Sequence, residues 1–281
     1  MPSPDRAKQA EKEYARRAGT LPWERTKPFA PPGHDMVSES AALIRDFAVL
    51  LVCLAPAPGE RLLDLGAGSG WVSEWLQRLH VDSVAVDLSI DLLRVAGERL
   101  PRPGRLVAGD LELLPFGDGV FDAAASLNAF HHLQDMRQAL REVYRVLKPG
   151  GRVLFSEPGR GHAEAATSKH ASESFGVTEQ EVLVAPFLSA CQEAGFQRVR
   201  LKPLAYVVPY FEADLARWTR WHQIADTPRP LRAGRRLWLA MLELAGLGKR
   251  GPLFQDAVGM ELLRILRHAM EDHPVIVASK G

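Results

Sequence analysis

Acidic and amide side chains recur at the ends of short apolar runs in the first part of the chain. The positions are Asp64, Asp87, Asp110, Asn128 and Glu157. A carboxylate at the tip of a strand can accept hydrogen bonds from both hydroxyls of a ribose, so Asp87 is a candidate ribose ligand, with a helix N-cap as its structural alternative. If the runs are parallel strands of one sheet, these side chains converge on one crevice.

The stretch Arg61–Gly70, RLLDLGAGSG, is an apolar run that stops at three glycines. The residues that follow, WVSEWLQRL, have apolar side chains at helical spacing, so the pattern predicts strand, glycine turn and helix. Glycines allow a tight turn and let a ligand lie against main-chain N–H groups beside a helix N-terminus. An NAD(P)-binding protein and a plain tight turn are the alternatives. The first is disfavoured because a dinucleotide fingerprint would have a third glycine where Trp71 stands.

The rest of this region alternates between strand-like and helix-like patterns with short connections. Strands are predicted at Leu62–Leu65, Ser83–Val86, Arg105–Ala108, Phe121–Ser126 and Arg152–Phe155. Helices are predicted at Met36–Leu54, Trp71–Leu79, Ile90–Leu100 and Asp135–Leu147. Ser89 is expected to cap the third helix, and Lys148–Gly151 to end the fourth. Such alternation predicts an α/β fold with a mainly parallel sheet and helices on both faces.

Composition excludes several classes of protein. The 281 residues are 46% hydrophobic and 25% charged, which is typical of a globular protein. A formal net charge of +1 gives no bulk electrostatic basis for binding nucleic acid or an anionic membrane. Cys53 and Cys191 lie in apolar helical contexts and are expected to be buried, reduced thiols, with one disulfide as the alternative. No apolar run could span a bilayer and the charged N-terminus lacks a signal peptide, so we expect a cytoplasmic protein.

Four stretches, in order, resemble the motifs of class I S-adenosylmethionine-dependent methyltransferases, in the small-molecule group with the type 11 domain. They are DLGAGSG, VAVDLS, GDLELLPFGDGVFD and VLKPGGRVLFSEP. The resemblance covers about residues 58–160. It implies a Rossmann-like fold with a mainly parallel seven-stranded sheet, an antiparallel terminal strand and added helices. It also implies S-adenosylmethionine as the cofactor and methyl transfer as the reaction.

The resemblance also assigns cofactor-binding positions. They are Asp64, Gly66, Ala67, Gly68, Gly70, Asp87, Leu88, Asp110, Leu111, Ser126, Leu127 and Asn128. Within this set, Asp64 and the glycines would line the methionine and ribose part of the cofactor, and Asp87 would take the ribose hydroxyls. Asp110 would face the adenine amino group, and Ser126 to Asn128 would border the methionyl end.

A base is useful if the methyl acceptor is a hydroxyl or an amine. The predicted catalytic residues are His131, Glu157 and His162, with His132 as a further candidate. The alternatives are a structural histidine pair at a helix start and, for Glu157, a local cap or ion pair. No metal site is predicted.

Beyond Pro158 the sequence follows the motifs less closely. Residues 159–176 predict a long loop or a short polar helix at the mouth of the crevice. Acceptor-side candidates in this stretch are His162, Ser168, Lys169 and His170. A helix is predicted at Gln180–Ala194 and a strand at Phe196–Val208, with which the last residues should pair antiparallel.

The pattern divides the chain into four segments. They are an arm at 1–35 that is a candidate lid, a core at 36–210, a helical insertion at 211–271 that is a candidate acceptor cap, and a last core strand at 272–281. In the arm, Ala7–Arg17 can form a charged helix, whereas the prolines from Pro22 onward are expected to exclude regular structure. The arm's aromatic residues, Tyr14, Trp23 and Phe29, are candidates for folding over the cleft.

The acceptor is expected to be a small molecule, with a sugar or another hydroxylated compound among the candidates. Tryptophan and arginine residues of the helical insertion would suit an anionic or carbohydrate acceptor or a partner surface, whereas ordinary amphipathic helices are the alternative. Protein and nucleic acid acceptors are disfavoured because no Asn-Pro-Pro-Tyr-type motif follows the fourth strand. A non-catalytic S-adenosylmethionine-binding protein stays open, as does the oligomeric state, a homodimer included.

Overall fold

A twisted α/β sheet forms the centre of the computed structural model, which describes residues 4–102, 105–202 and 271–281. The strands are β1 Arg61–Leu65, β2 Asp82–Asp87, β3 Leu106–Ala108, β4 Phe121–Leu127, β5 Leu147–Ser156, β6 Arg200–Leu201 and β7 Val275–Ser279. The helices are α1 Pro4–Ala18, α2 Pro22–Thr26, α3 Val37–Leu54, α4 Trp71–Arg78, α5 Ile90–Arg99, α6 Met136–Val146, α7 Ala166–Phe175 and α8 Val184–Glu193.

The strand order is β3-β2-β1-β4-β5-β7-β6. The first five strands are parallel, and β7 runs antiparallel between β5 and β6. The central strands are buried on both faces, with Leu62, Leu63 and Leu65 of β1 fully covered, because helices pack on either side of a parallel sheet. This confirms the predicted fold class, including the antiparallel terminal strand.

Two of three local predictions were wrong. Residues from Pro22 form the short helix α2, since a proline in the first turn loses no hydrogen bond and already has a helical φ. Lys148–Gly151 does not separate α6 from the next strand: β5 already begins at Leu147, and its register against β4 shifts at a bulge where Gly150 has φ +76°. Ser89 does cap α5, accepting from the N–H of Leu92 as predicted.

The C-terminal part is described only in places. The chain divides into one unit of residues 1–202 with 271–281 and another of residues 203–270. The latter includes nearly all of the predicted helical insertion and the end of the predicted strand Phe196–Val208, which therefore lie outside the described residues. Residues 159–176, expected to be a loop or a polar helix, contain α7.

The two cysteines are free, as expected, with Cys191 fully buried and Cys53 half-buried. Burial raises the pKa of the Cys191 thiol to about 12. In the parts of the chain that the structure describes, no helix combines the length and apolar character needed to cross a membrane.

Gly70, at the start of α4, packs the glycine turn against α5. It has φ +74°, and a Cβ there would lie 2.6 Å from Ala96 Cβ and 2.7 Å from Leu100 Cδ1. Gly59 has φ +83° but no atom within 4 Å of the same position. We expect Gly59→Ala to cost about 1 kcal/mol of backbone strain. Gly70→Ala should cost about 2–4 kcal/mol because overpacking adds to that strain.

Urea denaturation of both variants checks this expectation. The Gly59→Ala protein is the matched control, since it carries the strain without the collision. Equal losses of unfolding free energy in the two variants would show that the α4–α5 contact tolerates the extra methyl group.

Candidate functional site

A cavity of about 510 Å³ opens where the first four parallel strands end. The turns after β1, β2, β3 and β4 all contribute to its wall. The predicted cofactor residues that line it are Gly66, Ala67, Gly68, Asp87, Leu88, Asp110, Leu111, Leu127 and Asn128. Asp64, Gly70 and Ser126 do not line it. The structure therefore brings most of the predicted set to one place.

Asp87 ties the glycine turn to the start of α5. Its Oδ2 accepts from the Gly68 N–H at 2.8 Å, and its Oδ1 accepts from the Ser89 N–H at 2.7 Å. Burial raises the pKa of this carboxyl, and the two main-chain donors oppose the rise. Each carboxylate oxygen has two acceptor positions, so both can also accept from a ligand hydroxyl.

The glycines of the turn have separate steric roles. Gly66 has φ +67°, and a Cβ there would lie 2.4 Å from the Ala129 Cβ, so this glycine lets the residues after β4 approach the turn. Gly68 has φ +53° and only Leu92 Cδ1, at 4.0 Å, near such a Cβ. The main chain at Gly68 is therefore open to the cavity, as a site for a closely bound ligand requires.

Asn128 forms the wall opposite the glycine turn. It adopts φ +58°, a left-handed conformation that asparagine tolerates better than most residues. Its Nδ2 donates to Asp46 Oδ2 on α3 at 3.1 Å. This contact fixes the first residue after β4 and directs the chain into a 3-10 turn at Phe130–His132.

Glu157, a predicted catalytic residue, lies beneath this turn and does not line the cavity. It is fully buried, and its Oε1 accepts from Ser126 Oγ at 2.5 Å and from the Ala129 N–H at 3.2 Å. Its Oε2 accepts from the Phe130 N–H at 3.0 Å and lies 3.1 Å from His131 Nδ1. Burial acts to raise the pKa of Glu157, but the His131 contact and the other donors hold it below its usual value.

Five side chains form a histidine–glutamate cluster beside the cavity. They are Glu11, His131, His132, His162 and Glu179. His162 Nε2 lies 2.7 Å from Glu179 Oε2, and His131 Nε2 lies 3.9 Å from the same oxygen. The cluster thus unites two predicted catalytic residues, His131 and His162, with His132, which lines the cavity.

His132 and Glu11 are the members of the cluster that line the cavity. His132 Nδ1 lies 2.8 Å from the Thr178 carbonyl oxygen and 3.1 Å from Glu11 Oε1. Burial acts to lower the pKa of this imidazole, but Glu11 and Glu179 outweigh it and raise the value to about 9. Of the other acceptor-side candidates, Ser168 is buried 3.4 Å from His162 Nε2. Lys169 and His170 are exposed on α7 and lie outside the cluster.

Helix α1 lies along the cavity, and sequence reasoning missed its polar contacts. Lys8 Nζ lies 2.7 Å from Asp110 Oδ2 and 2.6 Å from Glu112 Oε2, while the Tyr14 ring packs on Phe175 at 5.2 Å. Tyr14 and Trp23 line the cavity, whereas Phe29 is 55% exposed and does not. The helical spacing of Ala7, Glu11, Tyr14 and Ala18 was a usable signal for this face.

Glu179 was also missed. It lies in the irregular segment between α7 and α8, where no periodic pattern singles out one residue of Thr178–Glu181. Only the folded chain shows that this carboxylate meets the histidines.

Asp64, predicted to bind the cofactor, lies within the sheet and supports α4. It is buried and accepts from Ser73 Oγ at 2.7 Å. Burial raises its pKa to about 7 from the ordinary value of 3.8, although Ser73 opposes the rise. Between these two pH values the native carboxyl holds a proton that the unfolded chain has released, so stability falls as pH rises through this window.

Asp64→Asn should remove this pH dependence while keeping an acceptor for Ser73. We expect its unfolding free energy, relative to the unchanged protein, to increase between about pH 4 and about pH 7 and to level off above. Urea denaturation across this range measures it, with Asp35→Asn at an exposed carboxyl as control. A difference that stays constant with pH, or falls, would contradict a raised pKa at Asp64.

Comparison with known proteins gives a consistent family. Residues 63–155 match a family model described as a methyltransferase domain. Demethylmenaquinone methyltransferase of Renibacterium salmoninarum is 35% identical over 129 residues, which is 45% of this chain and 54% of that protein. Malonyl-[acyl-carrier protein] O-methyltransferase of Erwinia billingiae is 41% identical over 98 residues, 35% of this chain and 39% of that one. The chain thus spans about half or less of the length of these relatives.

Solved structures share the fold over nearly the whole chain. The [4+2]-cyclase SpnF superposes with a TM-score of 0.59 at 18% identity, covering 98% of this chain and 96% of that one. Haemonchus contortus phosphoethanolamine N-methyltransferase 2, in complex with S-adenosyl-L-methionine, gives a TM-score of 0.54 at 20% identity, covering 96% of this chain and 57% of that one. Since one neighbour is a cyclase, the fold alone does not fix the reaction. The domain match, the methyltransferase relatives and the sheet together show that this chain contains a methyltransferase domain with a Rossmann-like fold.

Proposed function

We propose that this protein transfers a methyl group from S-adenosylmethionine to a small-molecule acceptor. The observation that carries the proposal is the cavity at which the turns of four parallel strands meet, with the Asp87 carboxylate beside the main chain of Gly68. This is the position at which open α/β sheets bind nucleotide-like ligands.

The cavity residues fit the parts of this cofactor. Asp87 would accept from the ribose hydroxyls, and Leu88 and Leu111 would contact the adenine. Asp110 would face the adenine amino group, although its Oδ2 is paired with Lys8. Gly66 to Gly68 would lie along the methionyl part, which the residues after β4 would close.

The sulfonium of the bound cofactor supplies an already activated methyl group. The task of the protein is then to hold the acceptor in line with that group and to exclude water. α1 contributes to the exclusion, because Ala7, Glu11 and Tyr14 form part of the cavity wall. His132 and Asn128 line the cavity beside the turn after β4, where an acceptor would meet the methionyl end.

A small-molecule acceptor is favoured by the cavity and by the relatives. A volume of about 510 Å³ lies within the usual range for small-ligand sites. The relatives are named for demethylmenaquinone and for a malonyl group on acyl-carrier protein, so quinol-like and acyl carboxylate acceptors are the first to test. The tryptophan and arginine residues that suggested a sugar lie outside the described residues, and the sugar and the homodimer stay predictions.

The cofactor assignment is tested by calorimetric titration with S-adenosylmethionine, S-adenosylhomocysteine and NADH. We expect binding of the first two and not of the third. Asp87→Asn should weaken binding about 10- to 100-fold, since a hydrogen bond to a charged group is worth about 1.5–3 kcal/mol. Asp91→Asn, at the surface pair with Arg94 on the same helix, is the matched control and should bind normally.

The outcomes separate the alternatives. Binding of NADH alone would overturn the proposal and favour a dinucleotide-binding protein. Binding of S-adenosylmethionine without formation of S-adenosylhomocysteine, across quinol, carboxylate and amine acceptors, would favour a non-catalytic binding protein. Unchanged affinity in a folded Asp87→Asn protein would remove Asp87 from the ribose site.

A further inference from the structure

We propose that His131, His132 and Glu179 bind a divalent transition-metal ion beside the cavity. One ligand atom of each residue lies within 4.8 Å of the other two. Two imidazoles and one carboxylate form a donor set that Zn²⁺ and other first-row ions accept. The evidence for metal binding comes from these residues alone, whereas a role of the metal in the reaction rests on the proposed function.

The spacing around Glu179 is close to that of a bound ion. Its Oε2 lies 3.9 Å from His131 Nε2, and its Oε1 lies 3.8 Å from His132 Nδ1. His132 Nδ1 now donates its proton to the Thr178 carbonyl, 2.8 Å away, and this proton would be released on metal binding. Ligand atoms of a tetrahedral zinc ion, each about 2.1 Å from the metal, are about 3.4 Å apart. Movements of about half an ångström, within the freedom of side chains at a cavity edge, would close the site.

The contact between His131 and Glu157 favours a metal ligand at the opposite ring nitrogen. An ionised carboxylate only accepts, so the ring proton of a neutral His131 sits on Nδ1, 3.1 Å from Glu157 Oε2. Nε2 then carries the lone pair and lies 3.9 Å from Glu179 Oε2, so one cation could bind both atoms. A histidine that donates its other N–H to a buried carboxylate is the usual arrangement behind a metal site.

The negative charge of the carboxylates around the cluster also favours a bound cation. The carboxylates of Glu11, Glu157 and Glu179 converge on two adjacent imidazoles, and in the described part of the chain their ion pairs are with histidines only. Glu11 Oε1 is buried and lies 3.1 Å from His132 Nδ1. Either protons on the histidines or a bound cation must offset this charge, and the two solutions are experimentally distinct.

His162 is placed to position the ligand carboxylate. Its Nε2 lies 2.7 Å from Glu179 Oε2, and Ser168 Oγ lies 3.4 Å from the same nitrogen. A hydrogen bond from His162 restricts the rotation of Glu179, as the orienting partners of metal-binding carboxylates do. His162 is therefore a positioning residue in this site.

The location of the ion would define a class of acceptor. His132 lines the cavity, so an open coordination position would face a bound molecule. A divalent ion lowers the pKa of a hydroxyl that coordinates it. If the proposed function holds, the acceptor atom is an oxygen, as in a phenol, a quinol or an enol. Coordination would let this hydroxyl release its proton to solvent near neutral pH before the oxygen takes the methyl group.

The test uses chelator-treated protein without cofactor or acceptor. Co²⁺ is titrated while visible absorption is recorded, and Zn²⁺ is titrated by calorimetry. We expect one equivalent of each, with the Co²⁺ bands of nitrogen and oxygen coordination. Glu179→Gln and His132→Gln should each weaken binding at least tenfold, and Glu157→Gln about tenfold. His34→Ala, an exposed histidine, is the matched control and should not differ.

The metal titrations can contradict the proposed metal site whether or not the protein transfers methyl groups. Absence of stoichiometric binding, or binding that Glu179→Gln and His132→Gln leave unchanged, shows that protons rather than a metal balance the cluster. Circular dichroism checks that each variant is folded. If Glu179→Gln does not fold, His132→Gln alone tests the site, because the glutamine amide can still donate a hydrogen bond to the Thr178 carbonyl. S-adenosylmethionine is titrated separately into the same protein, so loss of either activity is recognised on its own.

Discussion

The buried carboxylate of Glu157 is the constraint on which one side of the site depends. It ends β5 and accepts from Ser126, from the main chain at Ala129 and Phe130, and contacts His131. Leaving such a charge unpaired would be costly, so the chain after β4 is held in one conformation. That conformation brings Asn128 and His132 to the cavity and turns His131 toward Glu179. Glu157 therefore shapes the site, and the prediction that it also acts on the acceptor stays a prediction.

α1 connects this half of the site to the cofactor half. Lys8 pairs with Asp110 and Glu112 after β3, and one turn later Glu11 meets His132 after β4. These ion pairs are half-buried, so each stabilises the fold more than a surface ion pair does. A ligand that binds one of the charged groups must break the ion pair that this group forms. A ligand that binds Asp110 would thus compete with Lys8 and could displace α1. Displacement of α1 would in turn change the contact between Glu11 and His132.

Features that depend on local sequence pattern and on order along the chain could be predicted. The strands, the glycine turn and Asp87 follow from apolar runs and from residues at their ends, and each was found within a few residues of its expected place. The roles of Asp64 and Glu157 were not predictable, because burial of a strand-end acid depends on which neighbour packs over it. Glu11 and Glu179 are about 170 residues apart, and only the tertiary fold brings them to His132.

A small excess of carboxylates in the cavity wall connects the two proposals. Among the described lining residues, Glu11, Glu24, Asp87, Asp110 and Glu112 face four basic groups, which are Lys8, Lys12, Lys27 and His132. Negative charge in a partly enclosed site favours a cationic ligand, because nearby charges interact more strongly there than in bulk water. A sulfonium at the glycine turn and a divalent ion at the histidines would each reduce the repulsion among these carboxylates. After methyl transfer the sulfur is neutral, so the same carboxylates would hold the product less tightly than the cofactor.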